Sequence, residues 1–430
     1  MNKQDESLKW HKRALNVIPG GSQVLSKQYG QQYGRVPYGV APAFISHGKG
    51  SHIWDVDGNE YIDWSASLGP VTIGYEKFKC VMDGFEYPIP YRNSCLPMNH
   101  PTEVELAERL VDIIPCAKPD GMVRFFKSGS DACSAAVRLA RAVTGRKWVV
   151  CYGYHGWHDW YAETLPFPRN DGCLGGQFVT KMNYGEIPDE TTAIGPACII
   201  VEPMSRLCPE KASPGFLKKL KDFCTNHNTI LIFDEIIMGF RHALAGGQEY
   251  YGITPDLATY SKGMANGYPI SALIGKREIM KEIAQLQVSG TFFGDIMGMN
   301  MALNVLNFYQ NPTKKVIETL WWVGNKLCDG IAKLIVDTSL TDIVYLKGFG
   351  PWSSFVWSDR DYETFFLQEI FDRGVFYNRD HFAMYSHTEK DIEHTLNAYG
   401  EAMRAIAHSR KEGLNIKTEI RGELDRGLFP

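Results

Sequence analysis

The apolar positions of this chain change rhythm near its first quarter. Residues 1–17 carry apolar and charged positions at helical spacing, ended by Pro19-Gly20-Gly21. Short alternating runs at Phe44–His47 and His52–Asp55 predict strands. The Asp57-Gly58-Asn59 turn then leads into Glu60–Asp63, which reads as a hairpin. A helix is predicted over Pro101–Ile114. From Val123 the pattern becomes regular: strands at Val123–Phe126, Trp148–Tyr152, Ala197–Glu202, Thr229–Phe233, Leu257–Ser261 and Ile270–Gly275, with helices at Asp131–Thr144 and Pro214–His227. Wholly apolar strands alternating with helices predict an α/β fold with a mostly parallel sheet between helices. A long helix over Met297–Gln310 leads into a mixture of helix and strand. The expected division is 1–100 as an N-terminal segment joining the small domain and a dimer interface, 101–309 as the large domain, and 310–430 as a small α+β domain.

Composition narrows the function. Of 430 residues, 44% are apolar and 22% charged, as in a folded soluble protein rather than a disordered one. The net charge is −4. No long basic run marks a nucleic-acid partner, no stretch is apolar enough to span a bilayer, and Met1–Arg13 lacks the core of a signal peptide. A cytosolic protein is expected. The ten cysteines form no Cys-x-x-Cys pair, and Cys116, Cys198 and Cys224 stand in apolar runs, as small buried hydrophobes do.

In an open α/β sheet, ligands sit where the strands end. After the first strand comes Lys127-Ser128-Gly129-Ser130-Asp131-Ala132, small residues opening a helix, which suits an anion. After Thr229–Phe233 comes Asp234-Glu235, an acid where burial demands a partner. After the strand ending at Tyr260 comes Ser261-Lys262-Gly263, where partial desolvation would make the amine a nucleophile. Taken singly, each has a plainer reading: Ser130 or Asp131 as a helix cap, Asp234 as a salt-bridged strand end, Lys262 as a surface lysine. Together they supply what pyridoxal phosphate needs, which is an anchor for its phosphate, a carboxylate for its ring nitrogen and an amine for its aldehyde. His155 and His158, with Asp159, have a spacing a metal could use, although no metal site is expected.

The chain resembles the class III aminotransferases, fold-type I pyridoxal phosphate enzymes that include glutamate-1-semialdehyde aminomutase. Ordered matches run from about Arg13 to Tyr399. They include Trp54-Asp55-Val56-Asp57-Gly58-Asn59, Ser128-Gly129-Ser130-Asp131-Ala132, Tyr154-His155-Gly156, Glu202-Pro203, Asp234-Glu235-Ile236, Met238-Gly239-Phe240-Arg241, Ser261-Lys262-Gly263, Gly290-Thr291 and Ser386-His387-Thr388. The resemblance implies that Lys262 holds the cofactor as an imine and moves the substrate proton, while Asp234 pairs with the pyridinium nitrogen. It places Ser128, Gly129 and Ser130 at the phosphate, Tyr154 and Ile236 on the two ring faces, and His155 and Glu202 near the cofactor. Thr291 is expected to reach the phosphate of a neighbouring subunit, which implies a homodimer.

Departures from the family bear on the substrate. Gly374–Phe382 reaches Ser386 about four residues sooner than the aminomutase's gating loop allows, which favours a transaminase. Leu207 replaces a gating glutamate, beside Arg206. The donor, expected to be glutamate, needs a cation for its carboxylate, and Arg206, Arg379 and Arg92 are the candidates. The resemblance is nearest to enzymes that aminate sugar-like carbonyl compounds. The acceptor is thus expected to be a keto or aldehydo sugar acid, such as an 8-oxo-3-deoxy-octulosonate of surface-polysaccharide or lipopolysaccharide synthesis. The alternatives are a glutamate-1-semialdehyde-type aminomutase and a non-catalytic pyridoxal phosphate-binding protein. Tyr29, Tyr33, Tyr38 and Trp64 serve as pocket, core or interface, with core or interface preferred.

Overall fold

The computed structural model describes residues 4–28, 39–75, 95–189, 195–205 and 209–421. The chain forms two compact units, one built from Met1–Lys79 with Glu318–Pro430 and the other from Cys80–Ile317.

Helix α1 (Asp5–Leu15) opens the first unit. Its first turn is held by the turn of the following hairpin, since Asp57 accepts from the backbone N–H groups of Glu6 and Ser7 at 2.7 and 2.8 Å. Strands β1 (Ile45–Lys49), β2 (His52–Asp55) and β3 (Glu60–Asp63) form an antiparallel meander. Asp55 closes the β2–β3 turn by accepting from the N–H groups of Asp57 and Asn59, while Gly58 takes the φ of 86° that favours glycine.

The second unit carries α2 (Pro101–Ile113) and a seven-stranded sheet. Its strands are β4 (Met122–Phe126), β5 (Val149–Tyr152), β6 (Val179–Lys181), β7 (Cys198–Val201), β8 (Ile230–Asp234), β9 (Leu257–Tyr260) and β10 (Ser271–Gly275), in the order β4-β10-β9-β8-β7-β5-β6. From β9 to β6 every pairing is parallel, and β10 alone runs against both its neighbours. The expected mostly parallel sheet is therefore present. Strands β5, β7, β8, β9 and β10 are buried at every position, which is why they read as apolar runs without alternation.

Helix α3 (Gly129–Thr144) packs into the same core through Ala132, Cys133, Ala135, Ala136, Val137, Leu139 and Ala140. These mostly small side chains let the helix lie close to the sheet. It begins two residues before the expected Asp131, because the N-cap is Ser128 rather than Ser130 or Asp131. Ser128 and Asp131 close a reciprocal capping box, and Gly145 ends the helix in the left-handed region. Helices α4 (Pro214–Asn226) and α5 (Ile296–Gln310) complete the unit's longer helices.

The chain then runs through α6 (Val316–Asp337) into strands β11 (Val344–Phe349) and β12 (Trp352–Trp357) and helix α7 (Arg360–Asp372). Strands β13 (Val375–Phe376) and β14 (His381–Phe382) and helix α8 (Glu389–Lys411) follow. Strand β13 pairs in parallel with β3, Val375 opposite Ile62, so the two ends of the chain share one sheet. Trp64 is wholly buried in this unit. It donates to Thr395 Oγ1 at 2.9 Å and stacks on His387, which makes it core. Among the described residues no helix is long and apolar enough to cross a membrane.

Candidate active site

The residues singled out at the ends of the apolar strands converge on one edge of the seven-stranded sheet. Asp234 ends β8, opposite Thr259 of β9, and Lys262 lies three residues beyond Thr259. Ser128 follows β4, Tyr154 and His155 follow β5, and Glu202 follows β7. One strand direction delivers them all to the same side.

Asp234 is 4% exposed and its carboxylate is ringed by donors. His155 Nδ1 lies 2.7 Å from Oδ2, and the backbone N–H of Ile236 donates to Oδ1 at 3.1 Å. Thr259 Oγ1 reaches Oδ1 and the Cys133 thiol reaches Oδ2, each at 3.4 Å. His155 Nε2 is 3.1 Å from the carbonyl of Tyr152, so that nitrogen carries a hydrogen. His155 Nδ1, on the other side of the ring, faces the carboxylate. The pair is sealed by burial, His155 being 1% exposed.

His155 and His158 do not converge on a common point. His158 Nδ1 sits 2.7 Å from Ser134 Oγ, and its Nε2 is 3.8 Å from Asp131. The metal-capable grouping among the described residues is instead Cys133, His155 and Asp234, whose donor atoms lie within 4.8 Å of one another. Burial and the nearby Asp234 push the Cys133 thiol well above its usual range, so it stays protonated. It acts there as a hydrogen-bond donor to the carboxylate.

Lys262 takes a φ of 34°, rare for a residue with a side chain. Its neighbours fix that conformation. Ser261 Oγ donates to the carbonyl of Ile270 at 2.8 Å, and Tyr309 donates to the carbonyl of Gly263 at 2.9 Å.

The loop after β4 is set by close contacts. A Cβ on Gly129 would lie 2.5 Å from Ile236 Cδ1, and one on Gly156 would lie 2.3 Å from Ser130 Oγ. The Ser128 hydroxyl is engaged with Asp131, at 2.7 Å from its Oδ2 and 3.2 Å from its N–H. Any anion there therefore meets the first-turn N–H groups of Gly129 and Ser130 rather than an unoccupied serine. Lys127 is tied to Asp295 at 2.5 Å. Glu202 accepts from the N–H of Tyr154 at 3.1 Å, which anchors the turn that presents the tyrosine ring, 58% exposed.

Thr291 is exposed and lines a cavity of about 880 Å³ bordered by residues 95–99, one side of α2, residues 119–125 and 289–291, and Phe293 and Gly294. Leu96, Met98 and Val104 line it and are exposed. Arg379 is exposed in the turn between β13 and β14, at a φ of 64°, with its carbonyl held by the Tyr377 hydroxyl. Arg92, Arg206, Leu207, Tyr29, Tyr33 and Tyr38 lie outside the described residues.

A family model described as aminotransferase class-III matches residues 33–160 and 184–398. The chain belongs to the class-III aminotransferase family. It is thus a pyridoxal phosphate-dependent transaminase by descent, and the buried acid, strand-end lysine and glycine-opened helix fit that cofactor. The chain is 30% identical to the 3-aminobutyryl-CoA aminotransferase of Cloacimonas acidaminovorans, over 93% of this chain and 97% of that one. It is 32% identical to the glutamate-1-semialdehyde 2,1-aminomutase of Desulfatibacillum aliphaticivorans, over 92% and 98%. Among solved structures, the FumI protein of Sphingopyxis sp. MTA144 in its PLP internal aldimine form superposes with a TM-score of 0.80. It shares 25% identity, with 97% of this chain and 100% of that chain covered. An omega-transaminase from Sphaerobacter thermophilus, 22% identical over 94% of this chain and 98% of that one, shares the fold with a TM-score of 0.77.

The sequence gives no sign that Cys133 and Thr259 border Asp234. Cys133 sits in an alanine-rich helix and reads as a small apolar residue, and Thr259 reads as one more strand position.

Proposed function

We propose that this protein transfers an amino group from glutamate to a small keto or aldehydo sugar acid, such as an 8-oxo-3-deoxy-octulosonate. Its setting would be the cytosolic synthesis of surface polysaccharide or lipopolysaccharide. The observation that carries the catalytic reading is the buried Asp234, ringed by four donors and one strand away from Lys262. Bound pyridoxal phosphate supplies an electron sink for the carbon losing its proton. In this reading Asp234 keeps the ring nitrogen protonated, and the contact with buried His155 holds the carboxylate in place. The Lys262 amine holds the cofactor and then carries the proton from the substrate carbon. Gly129 and Ser130 hold the phosphate through their N–H groups, with the capped Ser128 fixing their direction. Tyr154 and Ile236 bound the ring from its two faces, and Glu202 holds the Tyr154 turn in place.

The donor carboxylate is assigned to one of Arg92, Arg206 and Arg379, because a guanidinium grips a carboxylate through two parallel bonds. Thr291 is assigned to the phosphate of a second copy, so the working form is a homodimer. The exposed apolar side chains around the cavity beside Thr291 support that assignment.

The short path from β13 to β14 favours transamination over isomerisation. The short Asn378–Asp380 bridge across it supports that reading. The relatives named as aminomutases keep isomerisation as a second reading. The test is a half-reaction with glutamate. A transaminase converts the cofactor to its amine form and releases 2-oxoglutarate, whereas an aminomutase rearranges an amino aldehyde and releases no net keto acid. Lys262→Ala should abolish turnover and the lysine-dependent visible band. Full turnover by that variant would point instead to a non-catalytic cofactor-binding protein.

A further inference from the structure

The α3 side of Asp234 holds two groups that the reading above leaves without a task. Cys133 is fully buried, with its Sγ 3.4 Å from Asp234 Oδ2 and 3.6 Å from Thr259 Oγ1. Thr259 Oγ1 is 3.4 Å from the other carboxylate oxygen. Thiol and hydroxyl therefore bracket the carboxylate, one at each oxygen, and each touches the other. They come from different elements, α3 and β9, and are fixed by the packing of helix on sheet rather than by a loop.

We propose that Cys133, acting with Thr259, is a positioning residue that sets how strongly Asp234 draws the proton of the cofactor's ring nitrogen. The proposal rests on the assignment of Asp234 to that nitrogen. Each donor withdraws negative charge from the carboxylate, so losing one leaves it more basic. A more basic Asp234 pulls the shared proton away from the ring, and the ring becomes less cationic. The linkage between the cofactor and Lys262 then keeps its own proton to higher pH.

The experiment is a pH titration of the visible absorption of the holoenzyme, without substrate. Cys133→Ala should raise the midpoint by about half a pH unit, as expected for losing one weak donor. Cys133→Ser, which keeps a donor in place, should stay within about 0.2 pH units of the parent. Thr259→Val should shift the midpoint upward independently of any cavity left at Cys133, and it carries the test if Cys133→Ala does not fold. Equal midpoints for the alanine and serine variants, or no shift with Thr259→Val, would overturn the proposal while leaving the transaminase reading intact. A parent enzyme with no Lys262-dependent band would overturn both.

Discussion

Asp234 and Glu235 are consecutive acids at the end of one buried strand, at 4% and 0% exposure, yet their surroundings differ in kind. Asp234 is met mainly by side chains: an imidazole, a thiol and a hydroxyl from separate elements, with one backbone N–H. Glu235 is met by backbone, accepting from the N–H groups of Gly247 and Gln248 at 2.7 and 2.8 Å. Burial pushes Glu235 up to about 8, against the pull of those two bonds. Around it Gln248 and Tyr260 form a further buried network: Gln248 donates to the Tyr260 hydroxyl, which donates to the carbonyl of Ala245. Residue type does not separate the two acids, but the donors do. Side-chain donors drawn from a helix, a strand and a loop surround the one carboxylate, whereas backbone donors from one short helical turn meet the other.

The sharpest way to break this comparison is to remove each acid in turn. Asp234→Asn should lower turnover by about a thousandfold and should also cost about 1–3 kcal/mol of stability, because an amide leaves some of its donors unmet. Glu235→Gln should leave turnover within about threefold of the parent. It should cost about 1–3 kcal/mol of stability in chemical denaturation, because an amide cannot accept from both backbone N–H groups. A Glu235→Gln enzyme that melts normally but turns over poorly would erase the distinction.

A smaller effect is expected at the helix opening. Gly129→Ala drives a Cβ against Ile236, which already lies at contact distance. Cofactor affinity, measured by fluorescence titration of the apoenzyme, should fall about tenfold, and a second change, Ile236→Val, should recover part of it.

The comparison also bears on the pH dependence of stability. Glu235 binds its proton more tightly folded than unfolded. Its contribution is therefore fully present below its ordinary value of 4.5 and is lost as pH rises through about 8. Buried Asp63, held up at about 6 by burial, acts in the same sense from 3.8 to about 6. Below about pH 6.5 buried His381 and His387, kept neutral by burial, act in the opposite sense, so unfolding free energy should decline between about pH 7 and 8, and Glu235→Gln should flatten that decline. An unchanged slope would show that Glu235 does not titrate in this range.

Much of the large unit was legible because burial on both strand faces writes itself as unbroken apolar runs. The same runs made Asp234 and Lys262 conspicuous, since a charge ending such a run needs a reason. Cys133 was not legible: its value lies in a contact with a residue 101 positions away, which helix packing creates. Nor was the role of Glu235, whose partners arrive through the turn at Gly246, where a Cβ would strike its carboxylate. The direction of β10 left a trace that goes unread in a strand-by-strand pass. Only the loop from Ser261 to Ile270 separates β9 from β10, shorter than the dozen or more residues that a parallel crossover needs.

That reversed strand has a consequence for the order in which the protein is built. Among the described residues strand β4 sits at the edge of the sheet, next to β10, with Phe126 opposite Ser271. Ser271 also donates to the carbonyl of Ser128. The loop that opens α3 is thus made early in synthesis and stays without its neighbouring strand until the chain has passed Gly275. By then Asp234 and Lys262 have been made as well. The sheet edge that carries this loop therefore closes only after both residues have left the ribosome.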